Sequence, residues 1–309
     1  MRYHFVVNPR AGRVRYEKLS SGIAREFRGC EYRITAGLPL GADFRDPETM
    51  VVAVGGDGTV NRVVNAVGEG AASIGLVPGG TANDLARALE IPTRFASACA
   101  VVRSGPLTEV DLARVGNRYF VTGGGLGLGA RIAERVNAAK APRSLLSGLI
   151  RLCGPWAYSL AALAELTASP EPIRARITTR GHTREANLAA LLVSNQPRLG
   201  GRFSPCPSAS NQDGILDVCA IEDPGSRARM ARICWGFLCG RPGVRPEIHR
   251  DRIREMRVVT SRDTPFFGDG EVLACGREFV VSVRPAAIRI AVPPKRRTPC
   301  LVTREANRG

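Results

Sequence analysis

Val54 to Asn61 reads VGGDGTVN, and about twenty residues downstream Val77 to Arg87 reads VPGGTANDLAR. Each block follows a short apolar run and precedes a stretch that can be helical, so each reads as a strand, a glycine turn and a helix start. Without Cβ atoms, Gly55, Gly56 and Gly58 let backbone N–H groups approach an anion closely, and the following helix adds the positive end of its dipole. Gly79 and Gly80 repeat the arrangement. Thr59, Asn61, Thr81 and Asn83 stand beside the glycines as further donors, and Asp57 adds a carboxylate. A lone glycine cluster is more often a bare turn than a ligand site; two clusters furnished in this way point to phosphate binding. Far downstream GDGEVL places Asp269 and Glu271 around a glycine. Asp-Gly is also an ordinary hairpin turn, so taken alone that block supports a solvated turn as readily as an acid–base site.

The elements that must position these residues follow from the apolar pattern. Tyr3 to Asn8 forms a short strand, and Leu19, Ile23 and Phe27 recur after it at helical spacing. Tyr32 to Thr35, Met50 to Val54 and Ile74 to Val77 read as further strands separated by helix-like segments, which predicts a parallel α/β sheet. In an open sheet of this kind ligands sit at the carboxyl ends of the strands, where both glycine loops fall. From about Val110 the character changes, because EVDLARVGNRYFVT alternates around Gly116-Asn117 as a hairpin does. Strands are expected over 173–178, 188–194, 215–221, 253–260, 278–283 and 288–292, with one long helix from about Ser226 to Leu238. The division expected is an α/β nucleotide-binding domain over 1–118 and a β-rich, sandwich-like acceptor domain over 119–292, with the polar, basic tail 293–309 packing back on the first.

Composition narrows the function. Lys and Arg total 44 against 28 Asp and Glu, a net charge of +16, which calls for an anionic partner. Aromatic residues make up only 6% and no zinc-finger, RNP-like or helix-turn-helix pattern is present, so an anionic membrane surface fits better than nucleic acid. The nine cysteines are odd in number and scattered without metal-ligand spacing, as expected of reduced thiols in a cytoplasmic protein. The N-terminus has too short an apolar run for a signal peptide, and Arg151 interrupts the best spanning candidate between Leu145 and Leu166. That segment, with Leu145, Leu149, Leu152, Trp156, Leu160 and Leu163 near one helix face, is either a lid over a lipid tail or a buried helix. The three histidines, His4, His182 and His249, sit in unrelated contexts, which argues against a Ser/His/Asp hydrolase.

NPRAG (8–12), GGDGTVN, PGGTANDLAR, FVTGGGLGLGA (120–130), SNQPRLGG (194–201), DGILDV (213–218) and GDGEVL (268–273), in this order and spacing, resemble the diacylglycerol kinase catalytic-domain family, which includes bacterial lipid kinases and the sphingosine and ceramide kinases. The resemblance covers nearly the whole chain. It implies an NAD kinase- and phosphofructokinase-like nucleotide domain and an ATP- and Mg²⁺-dependent kinase acting on a lipid hydroxyl. It places ATP phosphates against Gly55 to Thr59, with Asn8, Thr35, Asn61, Gly79, Gly80, Thr81 and Asn83 as further nucleotide contacts. It makes Glu271 the proton acceptor, with Asp57 in contention and Asp269 beside it. It further implies a structural Mg²⁺ on Asp213 and backbone carbonyls near Ser210 and Ile215; hard cations favour such oxygens. Peripheral contact with an anionic membrane is expected, and a homodimer is compatible with the sequence.

Four positions depart from the family pattern: Arg62 stands for a glutamate, Thr122 for an asparagine, Gly129 for a frequent aspartate and Gln212 for the first aspartate of its block. Two other functions stay open on the sequence. NAD kinase accounts for GGDG but not for the NDLAR and DGE blocks; a non-catalytic, nucleotide-responsive lipid-binding protein accounts for the missing acidic positions.

Overall fold

The computed structural model describes residues 1–8, 16–37, 44, 46–69, 72–131, 171–201, 203–241 and 243–294. The lid candidate between Leu145 and Leu166 and the tail beyond Pro294 lie outside them.

The first half is a parallel sheet. Strands β1 (Arg2–Val7), β2 (Tyr32–Ala36), β3 (Thr49–Gly55) and β4 (Ser73–Pro78) lie in the order β2-β1-β3-β4, connected through α1 (Tyr16–Glu26) and α2 (Asp57–Val67). Parallel strands are covered on both faces, which is why β3 and β4 are almost continuously apolar and buried. Phe5, Val52, Val63 and Ile74 are fully buried in one core, which α3 (Asp84–Ala88) and α4 (Phe95–Ser104) help to close.

The second half is antiparallel. The hairpin expected around Gly116-Asn117 is present as β5 (Leu107–Val115) and β6 (Arg118–Phe120), with Gly116 at φ 56°. Then follow β7 (Gly123–Gly127), β8 (Ile173–Thr179), β9 (His182–Ser194), β10 (Leu216–Glu222), α5 (Arg227–Leu238), β11 (Ile248–Ile253), β12 (Glu255–Gly268) and β13 (Glu271–Ala291). Alternating residues of these strands build a second core around Phe120, Leu188, Leu191, Phe266 and Val281. The opposite faces of β9 and β10 pack under α5 in a third, around Leu192, Cys219, Ile233 and Phe237.

Two expectations from the apolar pattern change. The strand expected over 253–260 is the junction of β11 and β12, because Ile253 pairs with Leu216 while Met256 pairs with Thr179 and Val281. The strands expected over 278–283 and 288–292 are one 21-residue strand, β13. Its first part pairs antiparallel with β12, its second part, Val281–Ala291, pairs antiparallel with β5, and there Arg289 and Ile290 also pair parallel with Ser73 and Ile74 of β4. A register shift between Arg284 and Ile288 bends it from one half into the other.

The bend is held by a buried carboxylate that belongs to none of the sequence motifs. Asp111, on β5, accepts from the Ala286 N–H at 2.8 Å and from the Gly214 N–H at 2.7 Å. Asp111→Ala removes two charge-assisted hydrogen bonds that hold the bend and is expected to lower the unfolding free energy by about 2 kcal/mol. Urea titration measures this, and a loss below about 1 kcal/mol would remove Asp111 from the role.

Candidate active site

The register of the parallel sheet aligns the carboxyl ends of its strands, since Val7 is level with Ala36 and Val54, and Gly55 with Pro78. Asn8, the Gly55–Thr59 loop and the Gly79–Thr81 loop therefore share one edge. The loops touch backbone to backbone: the Gly79 N–H donates to the Gly55 carbonyl at 2.7 Å, and a Cβ on Gly56 would stand 2.9 Å from the Gly80 Cα. Close approach of the two loops thus demands glycine on both sides, independently of any ligand. Thr35 lies on the outer strand β2, its hydroxyl 3.0 Å from the His4 Nε2. Burial holds the pKa of that imidazole below the ordinary histidine range, with Arg33 adding to the effect.

Asp57, the first residue of α2, joins the loops. Its carboxylate accepts from the Asn83 N–H at 2.9 Å and the Asp84 N–H at 2.6 Å, and so caps α3 from outside that helix. Asn83 reaches this geometry through a left-handed backbone, φ 50° and ψ 50°, and its side chain closes back on Gly80. Asp84 repeats the device one step further, accepting from the Gly200 N–H at 2.6 Å and the Gly201 N–H at 2.8 Å in the β-rich half. Asp84 is a site residue that motif reading passed over; the signal available was an acid in the first turn of a helix directly after a glycine loop.

Asp269 and Gly270 form the turn between β12 and β13, at φ 51° and 81°, so the hairpin reading of Asp-Gly is correct. The aspartate is nevertheless turned inward. Its carboxylate accepts from the Asn61 amide at 2.8 Å, from the Val121 and Thr122 N–H groups, and from the Thr122 hydroxyl at 2.6 Å. Asn61, on α2, also donates to the Tyr119 carbonyl, so α2 is tied to the β-rich half at the site. The Glu271 side chain follows over the start of α2, where a Cβ on Gly58 would stand 3.3 Å from its Oε1. Asp57, Asp84 and Asp269 have both oxygens occupied by donors, whereas Glu271 has no hydrogen-bond partner among the described residues.

From these carboxylates a cavity of about 110 Å³ runs into the β-rich half. Asp57, Asp84 and Asp269 stand at one end, and Leu128, Leu192, Leu199, Phe203, Ile221, Leu238 and Phe267 make its walls apolar. Two of the departing positions are compensated here. Thr122 supplies Asp269 with two donors, and a side chain at Gly129 would meet the Phe267 ring at 2.7 Å, so the ring occupies the space an aspartate would need. Arg62 is exposed on α2.

The residues fit a nucleotide phosphate. The N-cap of α2 is Gly56, which has no side chain to cap the helix, and the buried Thr59 hydroxyl beside it has no hydrogen-bond partner among the described residues. They do not fit a resident cation. Asp213 has one oxygen on the Arg252 guanidinium and the other on the Ile215 N–H, the Ser210 hydroxyl accepts from the Gln212 N–H, and the Gln212 amide reaches Thr108. A guanidinium thus stands where the Mg²⁺ was expected. Among the described residues no group of three or more acids, histidines or cysteines is placed to hold a metal.

A helix start with unsatisfied donors thus faces an acidic turn from the β-rich half, an arrangement that suits phosphate chemistry. Residues 2–115 match the family described as diacylglycerol kinase catalytic domain, and residues 125–292 match the YegS C-terminal NAD kinase beta sandwich-like domain. The chain is 31% identical to a Pseudomonas aeruginosa protein named "Probable lipid kinase YegS-like" over 245 residues, 79% of this chain and 76% of that one. It is 27% identical to a diacylglycerol kinase of Staphylococcus saprophyticus over 72% of this chain and 70% of the other. A crystal structure of a diacylglycerol kinase from Bacillus anthracis shares the fold at a TM-score of 0.72 and 20% identity, covering 95% and 97% of the two chains. The protein belongs to the diacylglycerol kinase and YegS-like lipid kinase family.

Burial is the largest influence on the carboxyls of Asp57 and Asp84 and raises both pKa values, that of Asp84 from 3.8 to about 7. Asp57 repels Asp84, and Asp269 repels Asp57, while the N–H donors oppose the rise. A raised value means that the folded protein holds the Asp84 proton more tightly than the unfolded chain does. That contribution to stability is full below the unfolded value of 3.8 and is lost as pH rises through about 7. Asp84→Asn is expected to flatten this part of the stability profile, measured by urea unfolding between about pH 4 and 8. An unchanged slope would place the titration on another group.

Proposed function

We propose that the protein transfers the γ-phosphoryl group of ATP to a hydroxyl of a membrane lipid of the diacylglycerol, long-chain base or ceramide type. The observation that carries this is the apolar cavity opening at the carboxylates beside the glycine edge. An acyl chain in the cavity brings a headgroup hydroxyl to the place where the first glycine loop would present a phosphate. Phosphoryl transfer needs little covalent chemistry from the protein beyond positioning and charge neutralisation. The nucleotide enters as its Mg²⁺ complex, which supplies the charge neutralisation.

The α2 N-terminus, the Gly55–Thr59 backbone and the Thr59 hydroxyl bind the phosphates in this mechanism, with Asn8, Thr35, Gly79, Gly80 and Thr81 further along the same edge. Asp57 and Asp269 organise the site, because both oxygens of each carboxylate accept from N–H or O–H donors. Glu271 is the general base. Its carboxylate is unengaged among the described residues, and it takes the proton of the acceptor hydroxyl as that oxygen bonds to the γ-phosphorus and the bond to ADP breaks.

The test uses purified protein, Mg²⁺, γ-labelled ATP and a total bacterial lipid extract, with label followed into the organic phase. Wild type is expected to label a lipid whose mass identifies the acceptor. Glu271→Gln is expected to lower turnover about a thousandfold while ATP affinity changes less than about threefold. Full activity in that variant would sink the assignment of the base, and no labelled lipid in wild type despite ATP binding would sink the acceptor class.

A further inference from the structure

We propose that the outer face of α5 and the loop after it dock on an anionic lipid bilayer. Residues 226–247 carry five arginines, 227, 229, 232, 241 and 245, against one acid, Glu247, which lies 4.0 Å from Arg229. Met230, Ile233, Cys234 and Phe237 bury the inner face of the helix. The outer face presents Ala228, Ala231, Arg232, Trp235 and Cys239 at helical spacing, with Trp235 68% exposed. Val244, in the loop that follows, is fully exposed.

A large exposed indole flanked by guanidinium groups is costly against bulk water and well suited to the headgroup layer, where the ring is half-immersed and cations meet lipid phosphates. The small alanines let the helix lie close to that layer. Charge complementarity selects an anionic bilayer over a neutral one, since each arginine near such a surface raises partition about fivefold. The acids next along the chain are already engaged: Glu222 with Arg184 and His249, and Asp223 with the Gly225 N–H.

The position of this face also has a consequence for access. Cys234 and Leu238, from the inner side of the same helix, line the apolar cavity that ends at Asp57, Asp84 and Asp269. One helix thus separates the bilayer from the cavity, and docking places the cavity beside the layer that holds its ligand. This last step rests on the acceptor assignment above; the docking face does not.

Co-sedimentation of the full-length protein with vesicles of phosphatidylglycerol and phosphatidylcholine, against phosphatidylcholine alone, tests the proposal. Wild type is expected to bind the anionic vesicles, more weakly at about 0.5 M salt than at about 0.1 M. Arg232→Ala with Arg241→Ala is expected to weaken binding about 25-fold, and Trp235→Ala to weaken it separately. These exposed positions leave melting temperature unchanged, and both variants keep wild-type phosphorylation of lipid dispersed in detergent micelles. Failure of wild type to bind anionic vesicles, or unchanged binding by the variants, would overturn the docking face. A variant that instead changes only the oligomeric state would overturn it in favour of a second copy of the chain. Loss of micellar activity in wild type itself would count against the lipid acceptor and leave the vesicle result standing.

Discussion

The site depends on one constraint, the contact of two glycine loops at van der Waals distance with a single carboxylate bridging them. Asp57 begins α2 and caps α3, so the loop that would hold phosphate cannot move without the helix that follows the second loop. Burying a carboxylate is costly unless its oxygens are satisfied, and here backbone N–H groups satisfy them. Asp84 then carries the same connection into the β-rich half through Gly200 and Gly201. The chain of contacts alternates carboxylate and backbone amide, and each link orients the next.

The second half reaches the site by a different route. β13 runs from the acidic turn, through the β-rich sheet, to the edge of the parallel sheet beside β4. One strand therefore sets where Asp269 and Glu271 stand relative to the glycine edge. Asp269 is locked to Asn61 of α2 and to the backbone at Val121 and Thr122, while the Glu271 carboxylate lies over Gly58 with no hydrogen-bond partner among the described residues. Among the described residues the aspartate is saturated with donors and the glutamate accepts none.

Two departures from the family pattern, at Thr122 and Gly129, look like losses in the sequence and are adjustments in the fold. Thr122 donates to Asp269 with both hydroxyl and backbone N–H, and Phe267 fills the space next to Gly129. Each exchange keeps polar groups partnered or space filled, the conditions a buried site must meet.

By itself the sequence determined the elements and their chemistry. Continuous apolar runs specify buried parallel strands, alternation specifies the β-rich half, and glycines before helices specify close-packed turns at one sheet edge. These are local signals, set by backbone sterics and side-chain periodicity over a few residues. Tertiary structure alone decided which carboxylates are saturated and which has no partner among the described residues, because Asp57, Asp84, Asp269 and Glu271 are alike in sequence and differ only in the donors that distant segments bring to them. It alone joined 278–283 to 288–292 as one strand, since both halves must be in place before the bend at Ala286 has a partner in Asp111. Long-range pairing also decided that an Asp-Gly turn, ordinary by its local geometry, points its side chain into the site rather than into water.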